Sequence, residues 1–136
     1  MRALTIRQPY ASLIMAGIKT VETRSWSTNE RGPLAIHAAL RPEQDVNELW
    51  RLLEDAGVDI GVVAFGCVIG VVDIIDVVPT RQHRPARQRP LGDFRRGRYA
   101  WLLANPRELA SPIPVRGQQS LWPISARIER RLHALD

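Results

Sequence analysis

Lysine is almost missing from this 136-residue chain: of its 19 basic side chains, all but Lys19 are arginine. A composition that supplies guanidinium wherever a charge suffices, yet keeps one ammonium, marks that position for chemistry arginine cannot give. Lysine offers a compact charge and a pKa that burial lowers, whereas arginine stays planar and protonated. Cysteine is equally scarce. Cys67 stands alone, so no internal disulfide forms, and no Cys/His spacing resembles a zinc site. His37, His83 and His133 are dispersed, so neither a metal nor a cofactor is implied. No apolar run approaches the length of a membrane span, and the opening residues Met1 to Pro9 alternate like a strand rather than forming the apolar block of a signal peptide. The expectation is a cytoplasmic protein without membrane contact.

What remains is ordinary for a globular protein: 45% hydrophobic and 24% charged residues, in a length that suits one domain spanning 1–136. A formal charge of +5 favours a polyanionic or phosphate-bearing partner, although arginine-rich composition raises the charge by itself.

Local patterns divide the chain. Ala3 to Ile6 reads as a strand, and Pro9 as the first position of a helix carrying Tyr10, Leu13 and Ile14 at helical spacing. Gly17 ends that helix, because it alone takes the left-handed turn without strain. Thr20 to Trp26 is extended, so Thr20, Glu22 and Arg24 share one face and Lys19, Val21 and Thr23 the other, unless the chain bends at Lys19. Leu34 to Ala38 is a strand ending near His37. Pro42 opens a second helix whose Val46, Leu49, Trp50 and Leu53 fall on one buried face. Phe65 to Val78 is a long strand, apolar on both sides as barrel strands often are.

Pro79 to Gly97 changes character: arginines interrupted by Pro85 and Pro90 read as an exposed loop, either a solvated linker or a flexible phosphate-contacting arm. Tyr99 to Ala104 and Pro112 to Val115 read as two further strands. Trp122 packs under the barrel, and Ile124 to Leu135 is a basic terminal helix. Strands with two or three helices give an α+β fold, a small barrel.

The candidate site is the run Gly17-Ile18-Lys19-Thr20-Val21-Glu22-Thr23-Arg24. A carboxylate beside a cation and a buried lysine has opposed pulls on its pKa. As a catalyst, Glu22 would take a proton while Lys19 stabilises an oxyanion or attacks, with Thr20 beside them. As a binding site, Lys19 and Arg24 would hold phosphate and Glu22 would accept from an amine or ribose hydroxyl. As structure, Glu22 and Arg24 would form an ion pair that closes the barrel. Tyr10, Trp26 and Trp101 offer rings for base stacking, Trp26 the best placed beside the run, Gln8 and Ser12 reach towards the same place from the helix, and Arg31 with Gly32 supplies a turn that contacts phosphate.

Gln8-Pro9-Tyr10-Ala11, Gly17-x-Lys19-x-x-Glu22-x-Arg24, Arg31-Gly32-Pro33, Ile36-His37-Ala38, Gly70-Val71-Val72, Tyr99-Ala100-Trp101, Pro114-Val115-x-Gly117 and Leu121-Trp122 together resemble the ASCH domain family. The resemblance spans roughly residues 3 to 123. It implies a PUA-like β-barrel with a cleft lined by the Lys, Glu and Arg of the run. It also implies binding of RNA, single-stranded nucleic acid or a nucleotide or nucleoside. Some small relatives hydrolyse the amide of N4-acetylcytidine with a threonine three residues after the lysine, where this chain has Glu22. Three function classes therefore stand: an RNA- or nucleotide-binding domain, an amidohydrolase or ribonuclease using the same cleft, and a protein-interaction module docking through the arginine loop or terminal helix.

Overall fold

The computed structural model describes residues 1–61 and 63–135. Among them, six strands and three helices make the α+β architecture that the patterns implied. The strands are β1 (Arg2–Ile6), β2 (Val21–Arg24), β3 (Gly32–Ala38), β4 (Cys67–Pro79), β5 (Tyr99–Pro114) and β6 (Leu121–Pro123). The helices are α1 (Tyr10–Met15), α2 (Asn47–Asp55) and α3 (Ala126–His133). One sheet runs in the order β2-β5-β4-β3-β1-β6, with β1 parallel to β3 and every other pair antiparallel.

Curl comes from the long strands. The β4–β5 ladder shifts register between Val68 and Gly70, between Val71 and Asp73, and between Ile74 and Asp76. Each irregularity adds twist and bends the ribbon. The result is a half-barrel so strongly curled that Arg24 of edge strand β2 donates to the carbonyl of Thr5 on β1, four strands away in the order. Gly70 permits the tightest approach: a Cβ there would lie 2.4 Å from both the Arg107 carbonyl oxygen and the Met15 sulfur, so β5 could not lie this close to β4 at that point.

The two-sided apolarity of β4 is explained by packing on both faces. Leu4, Leu34, Ile36, Ile69 and Val72 join α1 in one core, while their neighbours Ala3, Ala35, Val68 and Val71 join Trp122 and the Ile128 and Leu132 of α3 in another. Helix α3 is capped by Ser125, whose side chain accepts from the Ile128 amide at 3.3 Å.

Several expectations need correction. Helix α2 begins at Asn47 rather than Pro42, and Asp45 sits at φ 55°, outside any helix. Leu49 and Leu53 are buried as expected, but Trp50 is 41% exposed, because a nine-residue helix buries a face only two leucines wide. Tyr99–Pro114 is one continuous strand: Asn105, at φ 54°, and the β4–β5 register shifts absorb the irregularity that the sequence reads as a break.

The larger correction concerns the arginine loop, which is neither a solvated linker nor a loose arm. It contains two short 3-10 turns (Thr80–Gln82 and Arg89–Leu91), and Thr80, Gln88, Leu91 and Phe94 are buried. Leu91 joins Leu13, Leu49 and Leu53 in a small core shared with α1 and α2. The Gln88 amide bridges the turn before β2, accepting from the Thr20 amide at 2.9 Å and donating to the Ile18 carbonyl at 3.0 Å.

Candidate functional site

Gly17, at φ +77°, turns the chain out of α1, and Lys19 follows two residues later, before β2 begins. That bend brings the Lys19 side chain round to the carboxylate it would otherwise face away from. Its Nζ lies 3.4 Å from Glu22 Oε1 and donates to the Val21 carbonyl at 2.8 Å and to the Leu91 carbonyl of the arginine loop. Three acceptors meet the three donors of an ammonium. Lys19 is only 2% exposed, and its Nζ sits 5.4 Å from the centre of the Tyr10 ring.

Glu22 is held just as completely. Oε1 accepts from the Thr23 amide at 3.2 Å beside its contact with Lys19, and Oε2 takes Arg24 Nε at 3.0 Å and Nη2 at 2.8 Å. Burial by itself would push the Glu22 carboxyl up, but the Lys19 and Arg24 charges and their hydrogen bonds together outweigh it, so the group lies below its ordinary value and stays ionised. Burial draws Lys19 below the ordinary lysine value, with Glu22 opposing. The third member, Arg24, also bonds the Thr5 carbonyl at 3.1 Å, and its side chain keeps a quarter of its surface open.

These groups floor a cleft of about 540 Å³. Its walls come from β1 (Thr5 and Ile6), from α1 and the segment before it (Tyr10 and Arg7), and from the arginine loop (Leu91, Gly92, Asp93 and Arg98). The loop is fastened to β2 by the Asp93 amide, which donates to Thr23 Oγ1 at 2.9 Å. Gly92 lies so close to Thr23 that a Cβ would stand 3.0 Å from its hydroxyl. Arg98 donates to the Asp93 carbonyl at 3.0 Å and leans on Thr23. Three guanidinium groups, Arg7, Arg24 and Arg98, and two carboxylates, Glu43 and Asp93, border a cavity with the buried Lys19 ammonium beneath them; Arg7 lies 3.8 Å from Glu43 and Arg98 lies 3.5 Å from Asp93. Tyr10 is pushed above its ordinary value by burial and by Glu43 and Glu22, so it presents a neutral ring.

Of the residues singled out in the sequence, Lys19, Glu22, Arg24 and Tyr10 line this cleft, and the others do not. Thr20 is exposed and borders a different, apolar hollow beside Ile14, Val72 and Leu103. Gln8 is buried and locks the start of α1, bonding the Ser12 amide and hydroxyl and the Ala64 carbonyl, which also occupies Ser12. Trp26 packs edge-on against Trp101, with centroids 4.9 Å apart, and its carbonyl accepts from the Trp101 indole. Arg31 folds onto its own turn, bonding the Thr28 and Glu30 carbonyls and Asp76, while Gly32 starts β3 at φ +85°. The residues that the sequence reading missed are Arg7, Thr23, Asp93 and Arg98. Thr23 had a signal in its place inside the run, and Arg98 in its place at the end of the arginine-rich stretch; Arg7 and Asp93 had none.

His37 takes the structural role expected of it. It bonds the Val115 carbonyl at 2.7 Å and Thr5 Oγ1 at 3.2 Å, and burial lowers its pKa against the pull of that carbonyl. Gly117 lies over it: a Cβ would come 2.7 Å from His37 Cε1. Among the described residues no group of three or more His, Cys, Asp or Glu side chains is placed to hold a metal ion, and no helix is long and apolar enough to cross a membrane.

Comparison with known proteins agrees with this architecture. The family model of the ASCH domain matches residues 4–113. Activating signal cointegrator 1 from Homo sapiens is 35% identical over 134 residues, covering 93% of this chain, as is the Mus musculus protein. This chain spans only 23% of the length of either relative. Among solved structures, ASCH from Zymomonas mobilis superposes with a TM-score of 0.63 at 18% identity, covering 98% of this chain and 94% of that one. A tyrosine-to-phenylalanine mutant of the same Zymomonas mobilis protein gives 0.59 at 16% identity, covering 98% and 96%. At that identity the likeness speaks for the fold alone, a small curled α+β barrel.

Proposed function

Because this chain belongs to the ASCH domain family, we propose that it is a small RNA- or nucleotide-binding domain whose ligand enters the cleft above Lys19, Glu22 and Arg24. The observation that carries this reading is the division of labour among the cations. Lys19 spends its donors on two carbonyls and Glu22, while Arg24, anchored through Nε and Nη2, lines the cleft with a quarter of its side-chain surface open. An anchored guanidinium is pre-organised for phosphate, so little side-chain entropy is lost when it binds. Arg7 and Arg98, each beside a carboxylate at the rim, offer further donors to a phosphate, and Tyr10 offers a ring on which a base stacks, a contact worth about 1–3 kcal/mol. Glu22, with both oxygens occupied, acts as the anchor of Arg24 rather than as a direct ligand.

The alternative, an amidohydrolase on modified nucleosides or a ribonuclease, draws on the 3.4 Å contact between Lys19 and Glu22. It requires Lys19 to give up one of three acceptors inside a closed site, which counts against it. Fluorescence anisotropy with labelled single-stranded RNA and with nucleotides at low salt tests the leading reading. Binding that weakens steeply with salt and drops about tenfold or more in Arg24→Gln is expected, since a charge-assisted contact contributes about 1.5–3 kcal/mol. Absence of binding by every such ligand would refute it. Release of cytidine from N4-acetylcytidine, lost in Glu22→Gln, would install the hydrolase instead.

A further inference from the structure

Arg98 has two sides. One borders the cleft; the other borders a second hollow of about 550 Å³ walled by Pro79, Thr80, Arg81, Arg96 and Tyr99. The hollow is held open by buried bonds. Thr80 is buried, with its hydroxyl donating to the Arg95 carbonyl at 2.9 Å and its amide donating to the Arg98 carbonyl at 3.0 Å. These bonds pin the turn carrying Arg81 to the segment carrying Arg96. Gly97, at φ +83°, reverses the chain so that Arg96 and Arg98 border the same concavity.

Two of the three guanidinium groups at this hollow have no carboxylate partner among the described residues. Between residues 79 and 98 there are seven arginines and a single acid, Asp93, which is taken by Arg95 and Arg98. Arg81 and Arg96 are exposed and have no ion pair among the described residues. Like-charged groups held together at a concave surface by buried anchors favour an anion. Since the hollow adjoins the cleft through one side chain, the anion it suits is continuous with the cleft's own ligand.

We propose that this second hollow carries the phosphodiester backbone of a single-stranded polynucleotide, one nucleotide of which occupies the cleft. The proposal rests on the nucleotide-binding reading of the cleft and adds that the ligand is a strand rather than a free nucleotide. A strand is single where it enters, because a nucleotide seated in the cleft has left its stack, and Tyr10 and Tyr99 stand at the two ends of the path to receive unstacked bases.

The test compares the four ribonucleoside monophosphates with random-sequence oligoribonucleotides and oligodeoxyribonucleotides two to eight nucleotides long. Wild-type protein and the double variant Arg81→Gln/Arg96→Gln are titrated at several salt concentrations. Both substituted side chains are exposed, so the variant keeps its fold, checked by an unchanged thermal transition. The expected result is affinity rising with length in the wild type, with monophosphate binding equal in the two proteins. The variant should lose about tenfold or more on the octamers, and its salt dependence should flatten by about 1.4, the slope for two lost contacts on a single strand. RNA and DNA arms that behave alike support backbone recognition; a preference for RNA that the variant still weakens supports the same path with a ribose hydroxyl contact added. Monophosphate binding without any gain from length, or a gain untouched in the variant, overturns the inference and leaves the cleft reading standing. Failure of every ligand overturns both.

Discussion

Two arginine–carboxylate pairs with the same spacing, Glu22 with Arg24 and Asp93 with Arg95, sit in this molecule in opposite surroundings. The second has the better geometry: Arg95 meets both carboxylate oxygens, with Nη2 2.6 Å from Oδ2 and Nε 2.8 Å from Oδ1. Arg24 places both its bonds on one oxygen. Yet the side chains of Arg95 and Asp93 are 82% and 34% exposed, against 25% and 9% for Arg24 and Glu22. Water and salt screen the exposed pair, and holding a long side chain in place offsets most of what Coulomb attraction supplies. The buried pair has no such substitute. If one partner is removed there, the other stays charged in a low dielectric. Burial, not fork geometry, decides which pair the fold depends on.

The sharpest way to break that comparison is Glu22→Gln. It leaves the Lys19 ammonium and the Arg24 anchor without their anion, and urea denaturation should show a loss of about 3–5 kcal/mol with an unchanged m-value. A pH series sharpens it further. The folded carboxyl lies below its ordinary 4.5, so its stabilisation is fully present above that value and is lost as pH falls through the depressed folded value. The gap between wild type and variant should therefore be flat near neutrality and close in acid. A gap that persists unchanged in strong acid would mean the carboxylate charge is not what matters.

Lys19→Met should come next, at about 1–3 kcal/mol, because the Val21 and Leu91 carbonyls lose a buried donor while the methionine stem fills the space. Lys19→Arg is not the gentle change it looks in sequence. The position is enclosed, and a larger planar group must displace Tyr10 or the loop, costing a similar amount by overpacking. A Lys19→Arg protein as stable as wild type would disprove that enclosure.

The smallest effect belongs to Asp93→Asn. Arg95 holds the Asp93 carboxyl down at about 2, but both groups are open to solvent, so no resolvable change in the denaturation midpoint is expected at pH 7. A loss equal to that of Glu22→Gln would erase the distinction between the pairs.

The same contrast explains what could be read in the sequence. Gly17, the alternation through β1, and the cation–carboxylate–guanidinium run are local signals; the first two mark a helix end and a strand, and the third supplies three residues that line the cleft. The arginine loop has no local period: Thr80, Gln88, Leu91 and Phe94 are separated by arginines and prolines, and Gln88 finds its partners about 70 residues away. Composition therefore announced an exposed segment where tertiary contacts made a wall. Trp26 failed for the opposite reason. Its nearness to the run in sequence suggested a stacking ring, but the chain leaving β2 carries it past the cleft to the edge of Trp101.

The solitary, enclosed lysine also provides an internal gauge of breathing. A reagent that acylates side-chain amines has one target of that kind in this chain, and its burial makes that target a reporter of local opening around Lys19. The rate at which that amine is modified would report how often its surroundings open, and a ligand seated above it would slow the clock.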